Sequence, residues 1–336
     1  MSKKKDIKTK QQFILFDTEE EQIEEKVQPQ ELVEENTATS DEDGMFGACE
    51  IKATQPSMRF ISFGSGSSGN SSYVGTDSCG VLFDAGVDMD QVFKTLAANG
   101  VSPEMVKGIC LTHDHSDHIR YAYGIARKYK HLRIYCTPRV MNGILKRHNI
   151  SRRIKELHEA IFKEIPFKLA GMKITAFDVP HDGSDNAGFF IEYEGMNFAI
   201  ATDLGHVSER AYHYLTQANY MMLEANYDSD MLTRGRYPEY LKNRIRAANG
   251  HLDNADAARF LADNYTEDLK YVFLCHLSND NNTPEIALEA VRNELLKKNV
   301  SVGTACNTLE DQGKKLQLMA LPRYDASPWF VLHLLK

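Results

Sequence analysis

The sequence has few cysteines, and no two of them have the spacing of a metal-binding or redox pair. Its six cysteines are scattered over 336 residues without a Cys-x-x-Cys pair. This pattern argues against a disulfide framework. Several cysteines stand in apolar runs, such as Cys110 in Gly108-Ile109-Cys110-Leu111. We expect all six to be reduced and buried, behaving as small hydrophobic residues.

Long hydrophobic runs are also missing. No apolar stretch approaches the roughly 18 residues of a membrane-spanning helix. The start, Met1-Ser2-Lys3-Lys4-Lys5, leads into polar sequence rather than the apolar centre of a signal peptide. We therefore expect a cytoplasmic protein without a membrane segment. With 42% hydrophobic residues, a chain of this length can bury the core of a globular enzyme.

Positive charge is scarce at the beginning of the chain. The first 57 residues hold 14 of the 47 acidic residues but only 7 of the 39 basic ones. Residues 17–57 are rich in Glu, Gln, Thr and Asp and show no periodicity, which is typical of disorder. We predict a disordered acidic tail over 1–57 and a folded domain over 58–336. Because the folded part is nearly neutral, the overall acidity does not exclude a polyanionic substrate.

One apolar cluster interrupts this tail, Gln12-Phe13-Ile14-Leu15-Phe16. It resembles the short Gln-x-x-Leu-Phe peptides by which bacterial DNA-replication and repair proteins dock on the sliding clamp. A stray hydrophobic patch or a small docking strand would have the same appearance. Titrating a peptide of residues 1–25 against purified clamp tests the hypothesis, which predicts binding and would be abandoned if none occurred.

From Met58 onward, apolar strand patterns alternate with helical ones. The patterns predict strands at 59–63, 71–74, 81–83, 106–112, 173–179, 188–193, 197–202, 220–223, 271–275 and 329–334, and helices at 87–99, 117–129, 253–264 and 284–297. Each half of this region runs strands and then helices, as a sandwich of two sheets with helices outside requires.

Four candidate metal ligands lie together in His113-Asp114-His115-Ser116-Asp117-His118, directly after an apolar strand. Alternate residues of an extended segment point the same way, so His113 and His115 are expected to share one metal. Asp117 and His118, at the start of a helix, would reach a second. Imidazole and carboxylate ligands suit zinc or a similar ion.

Further ligands are expected at other strand ends, because one loop cannot surround two metals. His181, Asp203 and His276 each follow an apolar strand directly. Taken singly, each position would equally suit an ordinary surface histidine or aspartate.

Together these residues resemble a known family. Leu82-Phe83-Asp84-Ala85-Gly86, the histidine cluster, His181, Asp203 and His276 are similar to the five ordered motifs of the metallo-β-lactamase superfamily, over residues 58 to about 280. The resemblance implies an α/β fold in four layers, an αββα sandwich of two mixed sheets. It also implies two divalent metal ions, zinc or manganese.

The resemblance implies a role for each of these residues. The first metal would take His113, His115 and His181, the second Asp117, His118 and His276, and Asp203 would bridge them. Asp84 would orient a ligand imidazole.

A narrower resemblance concerns the YycJ/WalJ-type subfamily. It rests on Ser65-Gly66-Ser67-Ser68-Gly69-Asn70, Glu224-Ala225-Asn226-Tyr227-Asp228, Tyr237-Pro238 with Leu241-Lys242, Gly250-His251-Leu252-Asp253-Asn254-Ala255 and His276-Leu277-Ser278-x-x-Asn281. Related phosphodiesterases of this fold, ribonucleases Z and J, use an acidic residue, a histidine and the last histidine ligand in the order of Glu224, His251 and His276. The resemblance implies a DNA exonuclease working from the 5′ end.

The expected chemistry is consistent with this resemblance. Two metal ions can hold a hydroxide nucleophile and neutralise a phosphate oxygen. The leaving alkoxide then needs a proton, for which His251 is a suitable donor, with Glu224 fixing its tautomer and favouring its charged form. We place Asp84, Asp117, Glu224 and His251 in the catalytic machinery. In the plainer alternative, His251 caps the following helix and Glu224 is a surface acid.

Basic side chains near the site would contact the phosphates of a nucleic acid, DNA rather than RNA. The predicted substrate-binding residues are Arg234, Arg236, Lys242, Arg244, Ser278 and Asn281. Basic runs of this kind also occur simply as solvated faces.

Two other functions stay open at this stage. A thioester or lactam hydrolase of the same fold, similar to glyoxalase II, would use the same metals without needing Glu224 and His251. A regulatory or clamp-associated binding protein would carry only a relict site.

Overall fold

Two mixed β-sheets pack face to face in the computed structural model, which describes residues 55–306, 311 and 313–334. The first sheet has the spatial order β15 (Phe330–Leu332), β1 (Met58–Gly64), β2 (Ser71–Gly75), β3 (Gly80–Phe83), β4 (Val106–Cys110), β5 (Ile134–Cys136) and β6 (His158–Ala160). The second has the order β13 (Val302–Gly303), β14 (Leu316–Ala320), β12 (Tyr271–Cys275), β11 (Tyr220–Glu224), β10 (Met196–Ala201), β9 (Ala187–Tyr193), β8 (Met172–Asp178) and β7 (Phe167–Leu169).

Helices cover the outer faces of both sheets. Those of the described residues are α1 (Met89–Ala98), α2 (Ser116–Ile119), α3 (Ala122–Lys128), α4 (Pro138–Arg147), α5 (Glu209–Leu215), α6 (Ser229–Arg234), α7 (Glu239–Arg246), α8 (Asn254–Asp263) and α9 (Pro284–Lys297). Apolar residues of α1, α3 and α4 pack on the first sheet, and those of α5, α8 and α9 pack on the second. The predicted αββα sandwich is confirmed.

Strand β1 shows how the sequence specifies these layers. Phe60 joins the core between the two sheets, whereas its neighbour Ile61 joins the core beneath the helices. Successive side chains of a strand point to opposite faces, so a strand buried on both faces must be apolar at nearly every position. Between the sheets, the ring centroid of Phe60 lies 4.5 Å from that of Phe273 and 5.0 Å from that of Phe198.

Parallel strands bring the site residues to one edge of the sandwich. In the second sheet β10, β11 and β12 are parallel neighbours, and in the first sheet β3 and β4 are parallel. The chain therefore leaves these strands at their carboxyl ends in adjacent positions, where polar residues can converge.

One predicted helix is wrong in its continuity. The pattern predicted a single helix over 117–129, but the structure has α2 and α3 with a break at Arg120 and Tyr121. Ala85 causes the break, because its amide donates to the carbonyl of His118 and its carbonyl accepts from the amide of Tyr121. These bonds divert the carbonyl of His118 and the amide of Tyr121 from helical hydrogen bonds, and they hold α2 beside the loop after β3.

Several elements were not predicted. They are β5, β6, β7, β13, β14, α4, α5, α6 and α7. Of the strands among them, β5, β6, β7 and β13 have two or three residues each, whereas β14 has five. Helix α4 had a readable signal, since Thr137 caps it through a bond to the amide of Val140 and proline follows at its first position.

The expectation that every cysteine is buried is wrong for two of them. Cys110, Cys136 and Cys275 are buried, but Cys79 is half-buried and Cys306 is exposed. The latter two lie outside the apolar strands, so no sheet packs over them. These five described cysteines are free thiols. Cys49 lies outside the described residues, so its state stays a prediction.

Residues 1–54 of the predicted tail, with the peptide Gln12–Phe16, lie outside the described residues, so both stay predictions. The last residues of the predicted tail belong to the fold, since Ser57 is buried and its hydroxyl donates to Oδ1 of Asp77 over 3.0 Å. Within the described part of the chain, no helix has the length and apolar character needed to cross a bilayer.

Gly86 allows a close main-chain contact with Asp117, in the histidine-rich loop of residues 113–118. Its amide donates to the carbonyl of Asn70 over 2.8 Å, and a Cβ at position 86 would lie 1.5 Å from the carbonyl oxygen of Asp117. We expect Gly86→Ala to lower the free energy of unfolding by about 1–3 kcal/mol, because the backbone must shift.

The matched control for this prediction is Gly124→Ala in α3, where nothing lies within 4 Å of the added Cβ. That variant should be neutral or up to about 1 kcal/mol more stable, since alanine favours a helix. Urea unfolding measures both, and equal midpoints for the two variants would contradict the expected difference.

Candidate metal centre

The carboxylate of Asp84 holds the histidine-rich loop that follows β4. Its Oδ1 accepts hydrogen bonds from the amide of Thr112 at 2.9 Å and from the hydroxyl of Thr112 at 3.0 Å. Its Oδ2 lies 2.7 Å from Nδ1 of His118. Because Nδ1 is engaged by the carboxylate, Nε2 of His118 is left for a metal. This is the contact that the predicted positioning role of Asp84 requires.

Three imidazoles form the first candidate ligand set. His113, His115 and His181 each offer a ring nitrogen within 4.8 Å of the other two. Nδ1 of His115 lies 3.3 Å from Nε2 of His181. The orientation of His181 is set from its other side, where Nδ1 lies 2.8 Å from the carbonyl oxygen of Gly250.

A carboxylate and two imidazoles form the second set. Asp117, His118 and His276 also place one ligand atom each within 4.8 Å of the others. Oδ2 of Asp117 lies 3.5 Å from Nε2 of His118 and 3.6 Å from Nε2 of His276. The six residues predicted as terminal ligands are therefore brought together as two groups of three.

Asp203 lies between the two sets. Its Oδ2 is 3.3 Å from Nε2 of His118, and its Oδ1 is 3.8 Å from Nε2 of His181. The hydroxyl of Thr202 donates to Oδ2 over 2.7 Å. One carboxylate thus reaches both sets, as a bridging ligand would.

Three of the site residues adopt left-handed backbone conformations. Asp84, Asp203 and His276 have φ values of 60°, 54° and 53°. Such conformations cost non-glycine residues roughly 1–3 kcal/mol each and cluster at functional sites. Each residue comes just after a buried strand, so the sharp turn directs its side chain into the site rather than along the sheet.

Glu224 is a buried hub beside the two sets. Its Oε2 accepts from the amides of Leu204 at 2.9 Å and Leu252 at 3.1 Å. Its Oε1 lies 2.7 Å from Nδ1 of His251 and 3.0 Å from Nδ1 of His276. Burial alone would raise the pKa of Glu224, but the attraction and hydrogen bonds of these two histidines lower it overall. The carboxylate is therefore ionised and fully engaged by the protein, which leaves no free lone pair for a metal.

The donor set fits two divalent metal ions. Nε2 of His113 and Nε2 of His276 are buried without a hydrogen-bond partner among the described residues. Buried polar atoms normally have partners, so two orphaned imidazole nitrogens aimed at neighbouring ligand atoms indicate that something else satisfies them. Imidazole and carboxylate groups are suited to zinc and manganese.

The electrostatics of the protein alone are those of a site made for cations. Burial would lower the pKa of His118, but Asp203, Asp84 and Asp117 raise it to about 9. The pKa of His276 is raised well above its usual range against the same burial effect, chiefly by Asp203. Burial opposes ionisation of Asp203 as well, yet the surrounding histidines hold its pKa well below the usual range. In the protein alone, the positive charge of these imidazoles thus balances the carboxylates that metal ions would otherwise balance.

The predicted substrate-binding residues do not all reach the surface. Arg234 and Arg236 are exposed and line a groove that also contains Tyr237 and Asp280. The hydroxyl of Tyr237 donates to Oδ2 of Asp280 over 2.6 Å. Ser278 is half-buried and lies two residues before Asp280 in the sequence. Its role in binding substrate stays a prediction.

For Lys242 and Asn281 the structure requires a correction. Lys242 is 6% exposed, and its ammonium donates to the carbonyl of Thr233 at 2.8 Å and lies 3.3 Å from Glu239. Asn281 is fully buried, with its amide nitrogen on Ser278. Both side chains pack inward, so neither is presented to a phosphate. The prediction was wrong because a basic or polar residue type does not reveal whether its side chain is buried.

Two site residues had no role assigned from the sequence. The hydroxyl of Ser65 accepts from the amide of His276 over 2.9 Å. The side-chain nitrogen Nδ2 of Asn70 lies 3.1 Å from Oδ2 of Asp117 and 3.0 Å from Nε2 of His118. Both belong to the Ser65–Asn70 segment. Its serine and glycine content indicated a turn, but it did not indicate which metal-ligand candidates the turn would contact.

Comparison with known proteins agrees with this geometry. A family model described as a beta-lactamase superfamily domain matches residues 80–276. The exodeoxyribonuclease YycJ of Bacillus anthracis is 36% identical over 252 residues, covering 74% of this chain and 93% of the relative. The exodeoxyribonuclease WalJ of Streptococcus pneumoniae is 31% identical and covers 73% of this chain and 91% of the relative.

A solved structure shares the fold at lower identity. The metallo-β-lactamase fold protein YhfI from Bacillus subtilis superposes with a TM-score of 0.56 and 14% identity, covering 82% of this chain and 99% of that one.

Metal binding is expected to release protons at pH 7, because the raised pKa values of His118 and His276 keep both imidazoles charged in the metal-free protein. We predict a release of about two protons per chain on filling both sets. As pH rises through the pKa of His118, that imidazole loses its proton beforehand and the release falls. Calorimetric zinc titrations in buffers of different ionisation enthalpy measure it.

The control for proton release is His118→Ala, which should release at least one proton fewer, because the variant lacks this imidazole and one ligand beside His276. A release that is the same in this variant and in the unaltered protein would show that His118 is not a source.

Proposed function

This chain belongs to the beta-lactamase superfamily, as a YycJ/WalJ-type protein, and we propose that it is a dinuclear metal-dependent nuclease that degrades DNA from the 5′ end. The observation that carries the proposal is the position of the Glu224–His251 pair next to two three-residue ligand sets. YycJ and WalJ are named exodeoxyribonucleases, which favours DNA over RNA as the substrate.

Each residue of the two sets has a proposed task. His113, His115 and His181 would hold one metal, Asp117, His118 and His276 the other, and Asp203 would lie between them. Two zinc or manganese ions, when bound, supply an activated water and neutralise charge on the phosphate. Asp84 holds His118 through its Nδ1, and Glu224 holds His276 in the same way.

His251 is the proposed proton donor to the leaving oxygen. Its Nδ1 is fixed on the carboxylate of Glu224, so Nε2 is the nitrogen available to substrate. The side chain is 18% exposed, whereas that of Glu224 is fully buried. A buried carboxylate behind a partly exposed imidazole fixes the orientation of the ring, so that Nε2 faces the side from which substrate can enter.

The Glu224–His251 pair also distinguishes this proposal from its alternative. A thioester or lactam hydrolase of the same fold would use both ligand sets but would not need a proton donor held in this way. The exposed Arg234 and Arg236 beside Tyr237 would contact a phosphate backbone and a base, which such a small substrate does not offer.

The test is an assay of purified protein loaded with zinc or manganese on end-labelled single- and double-stranded DNA and RNA, alongside a thioester and a chromogenic lactam. We expect mononucleotides from the 5′ end of DNA, and a content of two metal ions per chain. The control is His115→Ala, because activity that survived in it would come from a contaminant. Turnover of the thioester without action on nucleic acid would favour the alternative.

His251→Ala is predicted to retain both metals while losing about a hundredfold or more in turnover, because general acid catalysis is removed and the ligand sets are not. Metal content by elemental analysis and single-turnover rates on DNA measure the two effects. The matched control is His206→Ala. His206 is exposed, and its Nδ1 lies within hydrogen-bond distance of the carbonyl oxygen of Ala248, which belongs to neither ligand set. Loss of metal from His251→Ala would contradict the assigned role.

The cellular setting completes the proposal. We place the protein in the cytoplasm, with nucleic acid as its partner, and keep docking on the sliding clamp through Gln12–Phe16 as a hypothesis that rests on the sequence alone.

A further inference from the structure

Asp182 stands at a position from which it can affect the first ligand set. It follows His181 directly, and its Oδ1 lies 3.2 Å from Nε2 of His115 and 3.5 Å from Nε2 of His181. Nε2 of His115 is the outer nitrogen, because its Nδ1 faces His181. Nε2 of His181 is the inner one, because its Nδ1 faces the carbonyl of Gly250. One carboxylate oxygen is therefore nearly equidistant from the back of one ligand and the metal-facing atom of another.

A second residue holds the other oxygen of this carboxylate. Nε of Arg244, in helix α7, donates to Oδ2 of Asp182 over 2.7 Å. The side chain of Asp182 is 24% exposed and that of Arg244 is 57% exposed, so the pair lies at the rim of the site. By contrast Arg234 is 82% exposed, and its nearest carboxylate, Asp230, is 4.0 Å away.

We propose that Asp182 and Arg244 form a positioning pair for the metal ligand His115, and that Arg244 is therefore not a phosphate contact. Oδ1 of Asp182 has no hydrogen-bond partner among the described residues and lies 3.2 Å from Nε2 of His115, so a small rotation of the ring would let it accept the proton of Nε2. That tautomer would leave Nδ1 of His115 free for a metal. Arg244 anchors the carboxylate from outside and keeps it from turning inward to the metal as a competing ligand. A carboxylate behind a ligand imidazole raises the basicity of that ligand.

This inference rests on the proposed role of His115 as a ligand. It revises one sequence-based prediction, since Arg244 was expected to bind substrate. The structure offers a reason for the difference: among these arginines, Arg244 has a close, partly buried carboxylate partner, whereas Arg234 extends into the groove beside Tyr237. An arginine whose Nε already donates to a carboxylate cannot offer its Nε–Nη edge for bidentate binding of a phosphate.

The test measures metal affinity by competition with a chelator, together with the visible spectrum of the cobalt-substituted protein. Asp182→Asn should weaken binding at one of the two metals by about tenfold and change the cobalt spectrum. Arg244→Ala should weaken it by a smaller factor, and Arg244→Lys should restore part of the loss. In the double variant Asp182→Asn with Arg244→Ala, the loss should equal that of Asp182→Asn alone, because both act through one contact.

Arg234→Ala is the matched control. It should leave metal affinity and spectrum unchanged and instead weaken DNA binding with a shallower salt dependence. If Arg244→Ala behaved in that way, or if the two single effects on metal affinity simply added, the positioning pair would be refuted.

His115→Ala separates this inference from the proposed function. If His115→Ala lowers metal affinity but Asp182→Asn does not, the ligand assignment holds and only the positioning pair fails. If His115→Ala leaves metal affinity unchanged, the proposed metal centre fails first and the pair has nothing to position.

Discussion

The metal centre depends on one buried carboxylate, that of Glu224. Its four hydrogen-bonding contacts connect the turn after β10, the segment before α8 and the imidazole that follows β12. A buried charge is tolerated only when its lone pairs are filled. Each donor left without its acceptor would cost roughly 1–3 kcal/mol, so the arrangement of these three segments is enforced together rather than one by one.

Strain at the strand ends is offset by specific contacts. The left-handed turn at Asp84 is accompanied by its bonds to Thr112, and that at His276 by the hydroxyl of Ser65 on its amide. Both partners come from other strands or loops of the sandwich. The unfavourable backbone conformations therefore persist because distant parts of the chain hold them.

The fold and the ligand candidates could be predicted from the sequence, whereas the burial of some side chains and the partners of the ligands could not. The order of apolar strands and helices indicated a sandwich of two sheets, and the resemblance to a known family implied its αββα layers. The ligand candidates followed from their places directly after apolar strands. Lys242 shows the limit, because charge in a sequence does not reveal burial. The partners of His181 and His276 were also hidden, since the Gly250 carbonyl and Ser65 lie far away along the chain, and no local periodicity records such contacts.

Gly250 and His251 are adjacent, yet they serve different parts of the site. The carbonyl of Gly250 orients His181 in the first ligand set, and the side chain of His251 lies on Glu224. A side chain at position 250 would collide with the main-chain oxygens of Arg244 and Ile245, so this segment cannot slide independently. The orientation of the ligand His181 and the position of the proposed acid His251 therefore depend on the same two residues. If evolution adapted this fold to another reaction, Gly250, His251 and the end of helix α7 would have to change together or be kept together.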